Sequence, residues 1–141
     1  MKKPVMLSIC GRQSYLDQEP DVIELVTEGV LEQKGDGWAL TYEESELTGL
    51  KGVTTTFYVE PGTVTLDRVG PLKSRMVFQE GVYHESLYQM EFGALMITVC
   101  ATKVSYDIGE EGGTIDLTYG IDIEQSTAGV IEYHLDIKLK E

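Results

Sequence analysis

Arg68 occupies a position at which the sequence otherwise places apolar residues. It follows Val64 and Leu66 at every second residue, so its side chain is predicted to point toward the same face of a β-strand. A guanidinium in a low-dielectric interior is destabilising by several kcal/mol unless a carboxylate or carbonyl oxygens meet it. Two interpretations follow. Arg68 binds the carboxylate or phosphate group of a ligand, or it forms a structural ion pair or reaches solvent near Gly70.

Carboxylates and phenolic hydroxyls elsewhere in the chain could share a site with this arginine. Glu43 and Glu91 are the first candidates for its acidic partner. Four tyrosines alternate with aliphatic residues, and their hydroxyls would supply polar groups to a cavity. These tyrosines are Tyr42, Tyr88, Tyr119 and Tyr133. The predicted ligand-binding residues are Arg68, Tyr42, Tyr88 and Glu43.

The sequence has no arrangement typical of catalysis or metal binding. His84 and His134 are the only histidines, and neither lies in the His or Cys spacing that zinc sites use. The two cysteines, Cys10 and Cys100, are far apart in the chain and are expected to be free thiols in a reducing compartment. Neither a nucleophile motif nor a glycine-rich phosphate loop occurs. We therefore predict no catalytic residue, no metal and no cofactor.

His134 lies among acidic residues on one strand face. Glu132 and Asp136 are two positions away on either side, so the three side chains point the same way. Nearby carboxylates would raise the pKa of the imidazole. The alternative interpretation is a solvated charged face of little energetic consequence.

The elements that must position these residues are β-strands. Along almost the whole chain, apolar and polar residues alternate in short runs that end at turns rich in Gly, Asp or Pro. Turns such as Gly35-Asp36-Gly37 make neighbouring strands antiparallel. About ten such runs would leave long edges exposed in an open sheet, so closure is favoured. We predict one all-β domain over residues 1–141, a closed antiparallel barrel of about 8–10 strands.

Large inward side chains decide whether such a barrel is filled or hollow. Trp38, Phe57, Phe78 and Tyr133 would tend to fill the interior, whereas a barrel of this size can also hold one small ligand. The sequence favours a filled or nearly filled interior. A functional pocket in the barrel mouth is the alternative.

The run from Phe92 to Val104 is apolar on both strand faces. Leu95 and Ile97 share one face, and Phe92 and Met96 share the other. This strand is therefore predicted to be covered on both sides. Phe92 and Met96 would form an interface with another protein or in a homodimer, unless the segment 15–21 or another strand covers them within the chain.

Charge limits the choice of partners. The chain carries 11 Lys and Arg residues against 24 Asp and Glu residues, a formal net charge of -13. Such a surface repels polyphosphates and anionic membranes, so neither nucleic acid nor a membrane is expected as a partner. The first residues form no secretory signal or membrane span, which predicts a cytoplasmic protein.

Short motifs in the middle strands resemble, in order and spacing, those of a known family. The motifs are Leu40-x-Tyr42-Glu43, Gly52-x-Thr54-Thr55-Thr56, Leu66-x-Arg68-x-Gly70, Met76-x-Phe78, Tyr88 leading to Gly93, Thr102 and Gly113-x-Ile115-x-Leu117-x-Tyr119. From about Ile23 to Lys138 the chain resembles the YwiB-like family of small bacterial proteins. The resemblance implies a calycin-like, lipocalin-related β-barrel of cytosolic bacterial origin and unknown function. A shared fold does not by itself transmit ligand binding.

The favoured function is non-enzymatic binding of a small amphipathic or acidic ligand in the barrel mouth. The alternative is a protein-interaction module or a homodimer that uses the apolar outer face around Phe92 and Met96. An enzyme is the least favoured function, because the sequence offers carboxylates and tyrosines without a nucleophile or a metal.

Overall fold

The computed structural model describes residues 2–14, 19–44, 51–90, 93–124 and 126–140. These residues form ten strands in chain order. They are β1 (Lys2–Ser14), β2 (Asp21–Lys34), β3 (Gly37–Glu43), β4 (Thr54–Glu60), β5 (Thr63–Val69), β6 (Ser74–Phe78), β7 (Tyr83–Met90), β8 (Gly93–Gly109), β9 (Gly112–Ile123) and β10 (Ser126–Leu139). The described part of the chain contains no helix long and apolar enough to cross a membrane.

All ten strands belong to one antiparallel sheet. Its order is β6-β5-β4-β3-β2-β1-β10-β9-β8-β7, so strands adjacent in the chain pair with each other, except that β6 and β7 are the two edges of the sheet. The join of β1 with β10 connects the two halves of this order. The sheet curls until β6 approaches β7, where the backbone N–H groups of Lys73 and Gln89 each donate to the other residue's carbonyl oxygen at 2.8 Å. The predicted antiparallel barrel is confirmed, and it is nearly closed.

The hairpin turns follow from local backbone chemistry. Gly35 has a φ of 56° in the turn between β2 and β3, and Gly62 has a φ of 76° after Pro61, between β4 and β5. Positive φ is accessible to glycine without a steric penalty. These short turns join adjacent strands at one end of the barrel, while the connections after β1, β3, β5, β7 and β9 lie at the other end.

One half of the barrel interior is a packed core. The alternation of each strand sends every second side chain inward, where it is removed from water. The buried residues of this half include Val5, Leu7, Leu31, Leu40, Phe57, Val59, Val64, Phe78, Val99, Ile115, Leu117, Leu135 and Ile137. Phe78 contacts Tyr119 with ring centroids 4.4 Å apart. This end of the interior is filled, whereas a cavity occupies the other end. The prediction of a filled or nearly filled interior therefore holds for one end only.

The strand β8 is covered on its inner face alone. Ile97 and Val99 are buried, whereas Met96 points outward and is 40% exposed opposite Leu87, which is 45% exposed. The prediction that both faces are covered is wrong at Met96, because a single sheet closed into a barrel covers only its inner surface. Phe92 and residues 15–18 of the segment expected to cover it lie outside the described residues.

Candidate functional site

A cavity of about 360 Å³ occupies the other half of the barrel. It lies at the end where β1, β3, β5, β7 and β9 finish. Isoleucines of the contiguous strands β2, β1, β10, β9 and β8 form one wall. They are Ile9, Ile23, Ile97, Ile121, Ile123 and Ile131. Polar groups come mainly from the opposite arc of the sheet. They are Tyr42 and Glu44 on and after β3, Arg68 on β5 and Tyr88 on β7.

Arg68 points into this cavity, as the alternation of β5 predicts. It follows the buried residues Val64 and Leu66, and its side chain is only 10% exposed. Its neighbours in the sheet are Thr55 on β4 and Ser74 on β6, both buried. The position is thus fixed by two strand pairings rather than by a mobile loop.

Glu44 is the acidic partner of Arg68. Arg68 Nε lies 4.0 Å from Glu44 Oε2, and the Glu44 side chain is 2% exposed. Thr55 Oγ1 donates a hydrogen bond of 2.6 Å to the same carboxylate oxygen. The backbone N–H of Glu44 donates to Val53 O at 2.9 Å, which extends the pairing of β3 and β4 by one residue and turns the side chain inward.

Glu43 faces the opposite way. It is exposed on the outer face of β3, where its carboxylate accepts a hydrogen bond of 3.0 Å from Thr54 Oγ1. Glu43, predicted as a ligand-binding residue, therefore does not line the cavity and Glu44 does, because successive side chains of a strand alternate between faces. Glu91, the other predicted partner of Arg68, lies outside the described residues.

The guanidinium of Arg68 is not fully satisfied. Its Nε has no hydrogen-bond partner, since 4.0 Å to Glu44 is too long for a hydrogen bond. Burial disfavours its charged form, but the oxygens of Tyr133, Tyr88 and Glu44 outweigh this and raise the pKa of Arg68. Arg68 is therefore a permanent cation that retains donor capacity.

Tyr42 shares the carboxylate of Glu44. Burial and the neighbouring carboxylate raise the pKa of the Tyr42 hydroxyl well above its usual range, and the two side chains are hydrogen-bonded. The hydroxyl therefore stays protonated and donates to Glu44. The ring lies parallel to Phe57, with centroids 6.4 Å apart.

Tyr119 on β9 and Tyr133 on β10 lie within the arc of strands that carries the isoleucines. Their rings are stacked with centroids 6.5 Å apart, and both line the cavity. The Tyr133 ring lies over Gly11 on the paired strand β1, where a Cβ atom would be 3.2 Å from Tyr133 Cε1. All four predicted tyrosines thus line the cavity.

Sequence reasoning missed several lining residues. Continuing the alternation of Leu40 and Tyr42 by one step gives Glu44, so that signal was present in the chain. Gly11 and Gln13 continue the inward face of β1 in the same way. The isoleucines gave no signal, because isoleucine in a packed core and isoleucine in a cavity wall have the same pattern.

A second polar cluster lies on the outer face of β9 and β10. His134 Nδ1 is 2.5 Å from Asp116 Oδ1, and His134 Nε2 is 3.1 Å from Asp136 Oδ2. The hydrogen bond with Asp116, helped by the charge of both carboxylates, raises the pKa of His134. Within the described residues, no group of three His, Cys, Asp or Glu side chains could hold a metal ion.

Comparisons with known proteins agree with this architecture. A family model described as a domain of unknown function, DUF1934, matches residues 7–137. The chain is 30% identical over 107 residues to the uncharacterised β-barrel protein YwiB of Bacillus subtilis. The matched region covers 76% of this chain and 74% of YwiB. The crystal structure of the ywiB protein from Bacillus subtilis is similar with a TM-score of 0.81 and 26% identity, over 96% of this chain and 92% of that one.

Proposed function

Because the chain belongs to the DUF1934 family, whose function is unknown, we propose a function from its cavity. The protein is a non-enzymatic binding protein for a small amphipathic or acidic molecule, which enters the hollow end of the barrel. The observation that carries this proposal is a cavity of about 360 Å³ with an apolar wall and one buried cation, Arg68.

The cavity has the properties of small-molecule sites. Such sites span about 300–1,000 Å³ and combine apolar walls with a few convergent polar groups. Here the polar groups are Arg68, Tyr88 and Tyr133, which face a wall built mainly from isoleucines. An apolar body would lie against the isoleucines while its polar end meets the arginine. Small barrels of the lipocalin type bind single ligands in this manner.

A cytoplasmic location belongs to the same proposal. Cys10 and Cys100 are both free, half-buried thiols. Free thiols fit a reducing compartment, where disulfides are rare.

A thermal-shift screen of small amphipathic and acidic compounds tests the binding function. A compound present at about 100 times its Kd stabilises the protein by about 2.7 kcal/mol, which raises the melting temperature. We expect at least one compound to stabilise the wild type but not Arg68→Met. The matched control is Arg75→Met on the neighbouring strand, since Arg75 is exposed outside the barrel. The proposal is contradicted if a compound stabilises Arg68→Met as much as Arg75→Met. It is also contradicted if no compound stabilises the wild type.

A second candidate function is association through the outer face of β7 and β8. Leu87 and Met96 lie directly opposite each other and are exposed, and Tyr83 on the same strand face as Leu87 is 72% exposed. Contiguous exposed apolar side chains commonly mark interfaces. We propose this face, with Met96, as the interface of a homodimer; the sequence predicts that Phe92 takes part in it.

Sedimentation velocity distinguishes this second candidate from a monomer. The wild type should sediment as a dimer, and Leu87→Asp combined with Met96→Asp should sediment as a monomer with an unchanged circular dichroism spectrum. Val26→Asp is the control, because Val26 is exposed on the outer face of β2, away from β7 and β8. A wild type that stays monomeric at high concentration would rule the dimer out.

A further inference from the structure

The charged groups of the cavity balance each other. Arg68 contributes one positive charge and Glu44 one negative charge, 4.0 Å apart and almost completely buried. Among the described residues, the other polar side chains that line the cavity are Gln13 and the tyrosines, which are neutral. The pair of Arg68 and Glu44 therefore leaves the described lining of the cavity with no net charge before any ligand enters.

A charged ligand would upset this balance. A carboxylate beside Arg68 would also lie near Glu44, and in a site of low dielectric the repulsion between the two anions opposes the attraction of the arginine. The protein as a whole carries a formal charge of -13, which further disfavours an anion. A ligand cation would likewise leave one unbalanced charge beside Arg68.

The hydrogen-bonding groups of the site specify an acceptor. Glu44 accepts from Thr55 Oγ1 at 2.6 Å and interacts with the Tyr42 hydroxyl, and neither of its carboxylate oxygens is both buried and without a hydrogen-bond partner. The Arg68 side chain lines the cavity and is 10% exposed, and the hydroxyls of Tyr88 and Tyr133, which also line the cavity, lie in its surroundings. The cavity thus offers a guanidinium and phenolic hydroxyls as donors for an acceptor atom of a ligand.

The volume limits the ligand's size. A water molecule's share of liquid volume is about 30 Å³, so a cavity of about 360 Å³ holds about a dozen groups of that size. An unbranched apolar chain of about eight carbons with a small polar end fits this space. The isoleucine wall would contact the chain, and Arg68 would contact the polar end.

We infer that the cavity selects an uncharged amphiphile whose polar end carries an acceptor oxygen, such as a primary amide or an alcohol, over the matching carboxylate or ammonium. This inference rests on the proposed binding function and narrows it. Glu44 determines the selection, because it neutralises Arg68 from within the protein.

Isothermal titration with four ligands that share one tail tests the inference. The ligands are octanamide, 1-octanol, octanoate and octylammonium at neutral pH. We expect octanamide and 1-octanol to bind at least about tenfold more tightly than the two ions, which corresponds to about 1.4 kcal/mol. If octanoate binds as tightly as octanamide or more tightly, the headgroup inference is wrong while the binding function stands. If none of the four binds, the inference is wrong, and the wider thermal-shift screen decides whether the binding function stands.

Glu44→Gln shows whether Glu44 sets the preference. Glutamine retains an acceptor for Thr55 Oγ1 but leaves the charge of Arg68 without a counter-charge. The affinity for octanoate should therefore rise at least about tenfold relative to the affinity for octanamide. The matched control, Glu43→Gln, changes the neighbouring carboxylate on the outer face and should leave the ratio unaltered. An unaltered ratio in Glu44→Gln would overturn the inference.

A double variant keeps the test decisive if the single variant does not fold. Arg68→Met combined with Glu44→Gln removes both charges, so no buried charge is left unpaired. The cavity is again neutral, and octanamide should keep its advantage over octanoate. Tighter binding of octanoate by this variant would contradict the inference.

Discussion

At the scale of single residues, the pair of Arg68 and Glu44 sets the properties of the hollow end. A buried ion pair contributes little net stability, since the loss of hydration offsets the attraction between the charges. Removing only one partner destabilises the fold strongly, because the remaining charge stays buried without a counter-charge. The pair therefore matters more for what the cavity can bind than for the stability of the fold.

Neutralising Glu44 should destabilise the protein far more than neutralising its neighbour. We expect Glu44→Gln to lower the free energy of unfolding by about 3 kcal/mol, the lower part of the range for a broken buried pair. Glu43→Gln removes an exposed carboxylate and should stay within about 0.5 kcal/mol of the wild type. Urea unfolding measures both values. Similar effects of the two substitutions would show that Arg68 does not depend on Glu44.

His134 should show a pH-dependent contribution to stability. Its hydrogen bond with Asp116 and the charge of Asp136 raise its pKa in the folded protein above the ordinary value of about 6.5. A raised folded-state pKa means that the stabilisation is fully present below about pH 6.5 and is lost as the pH rises through the folded-state pKa. Because the side chain is 46% exposed, the loss should stay below about 1 kcal/mol.

Proton NMR titration of the imidazole measures this pKa directly. Asp116→Asn should lower the pKa of His134, since it removes the strongest interaction with the imidazolium. Urea unfolding between pH 6 and pH 9 should then show a weaker pH dependence in Asp116→Asn than in the wild type. An unchanged pKa in the variant would show that Asp116 does not hold the proton.

At the scale of elements, the seam between β6 and β7 is the weakest pairing of the barrel. The backbones of Lys73 and Gln89 are hydrogen-bonded across it, but β6 and β7 do not pair along their length. Since N–H groups of alternate residues point to the same edge of a strand, those of Arg75 and Val77 face β7, as does that of Lys73. Within the described residues, neither has a backbone partner across the seam.

Hydrogen exchange should reveal this seam. Amides of Arg75 and Val77 should exchange faster than those of Lys73 and Gln89, which are bonded, and much faster than amides in the centre of β9 and β10. Exchange measured residue by residue by NMR makes the comparison within one sample. Equal protection of all these amides would mean that β6 and β7 form a continuous ladder.

The element scale also shows where sequence reasoning was sufficient. Alternation of apolar residues identified the strands and the inward direction of Arg68, because a strand's period of two is a local property. The wrong choice of Glu43 came from stopping that alternation at Tyr42 instead of following it to Glu44. The two-sided cover expected for β8 was wrong because the exposed Met96 and a buried residue look alike in sequence.

At the scale of the whole molecule, charge repulsion opposes folding. With a formal charge of -13, carboxylates on neighbouring strands repel one another, and the exposed ion pairs, such as Lys34–Glu32 and Lys140–Glu28, offset little of this. Screening by salt weakens repulsion between exposed charges most.

Moderate salt should therefore stabilise the protein. We expect the melting temperature to rise by several degrees between 10 and 200 mM NaCl, since about 1 kcal/mol corresponds to about 4 °C for a domain of this size. Glu24→Lys on the outer face of β2 lowers the net negative charge and should make the rise smaller. Thermal unfolding by circular dichroism measures both. A melting temperature that falls with salt would show that attractive pairs dominate instead.

The sequence by itself determined the strands, their antiparallel direction, the barrel and the inward face that carries Arg68 and the tyrosines. These follow from periodicity, turn residues and the need to protect strand edges, which are properties of short segments. Only the tertiary structure decided that Glu44 meets Arg68, and that the interior is filled at one end and hollow at the other. Those outcomes depend on register between strands and on the summed volumes of side chains from ten strands, and neither quantity can be read from one segment.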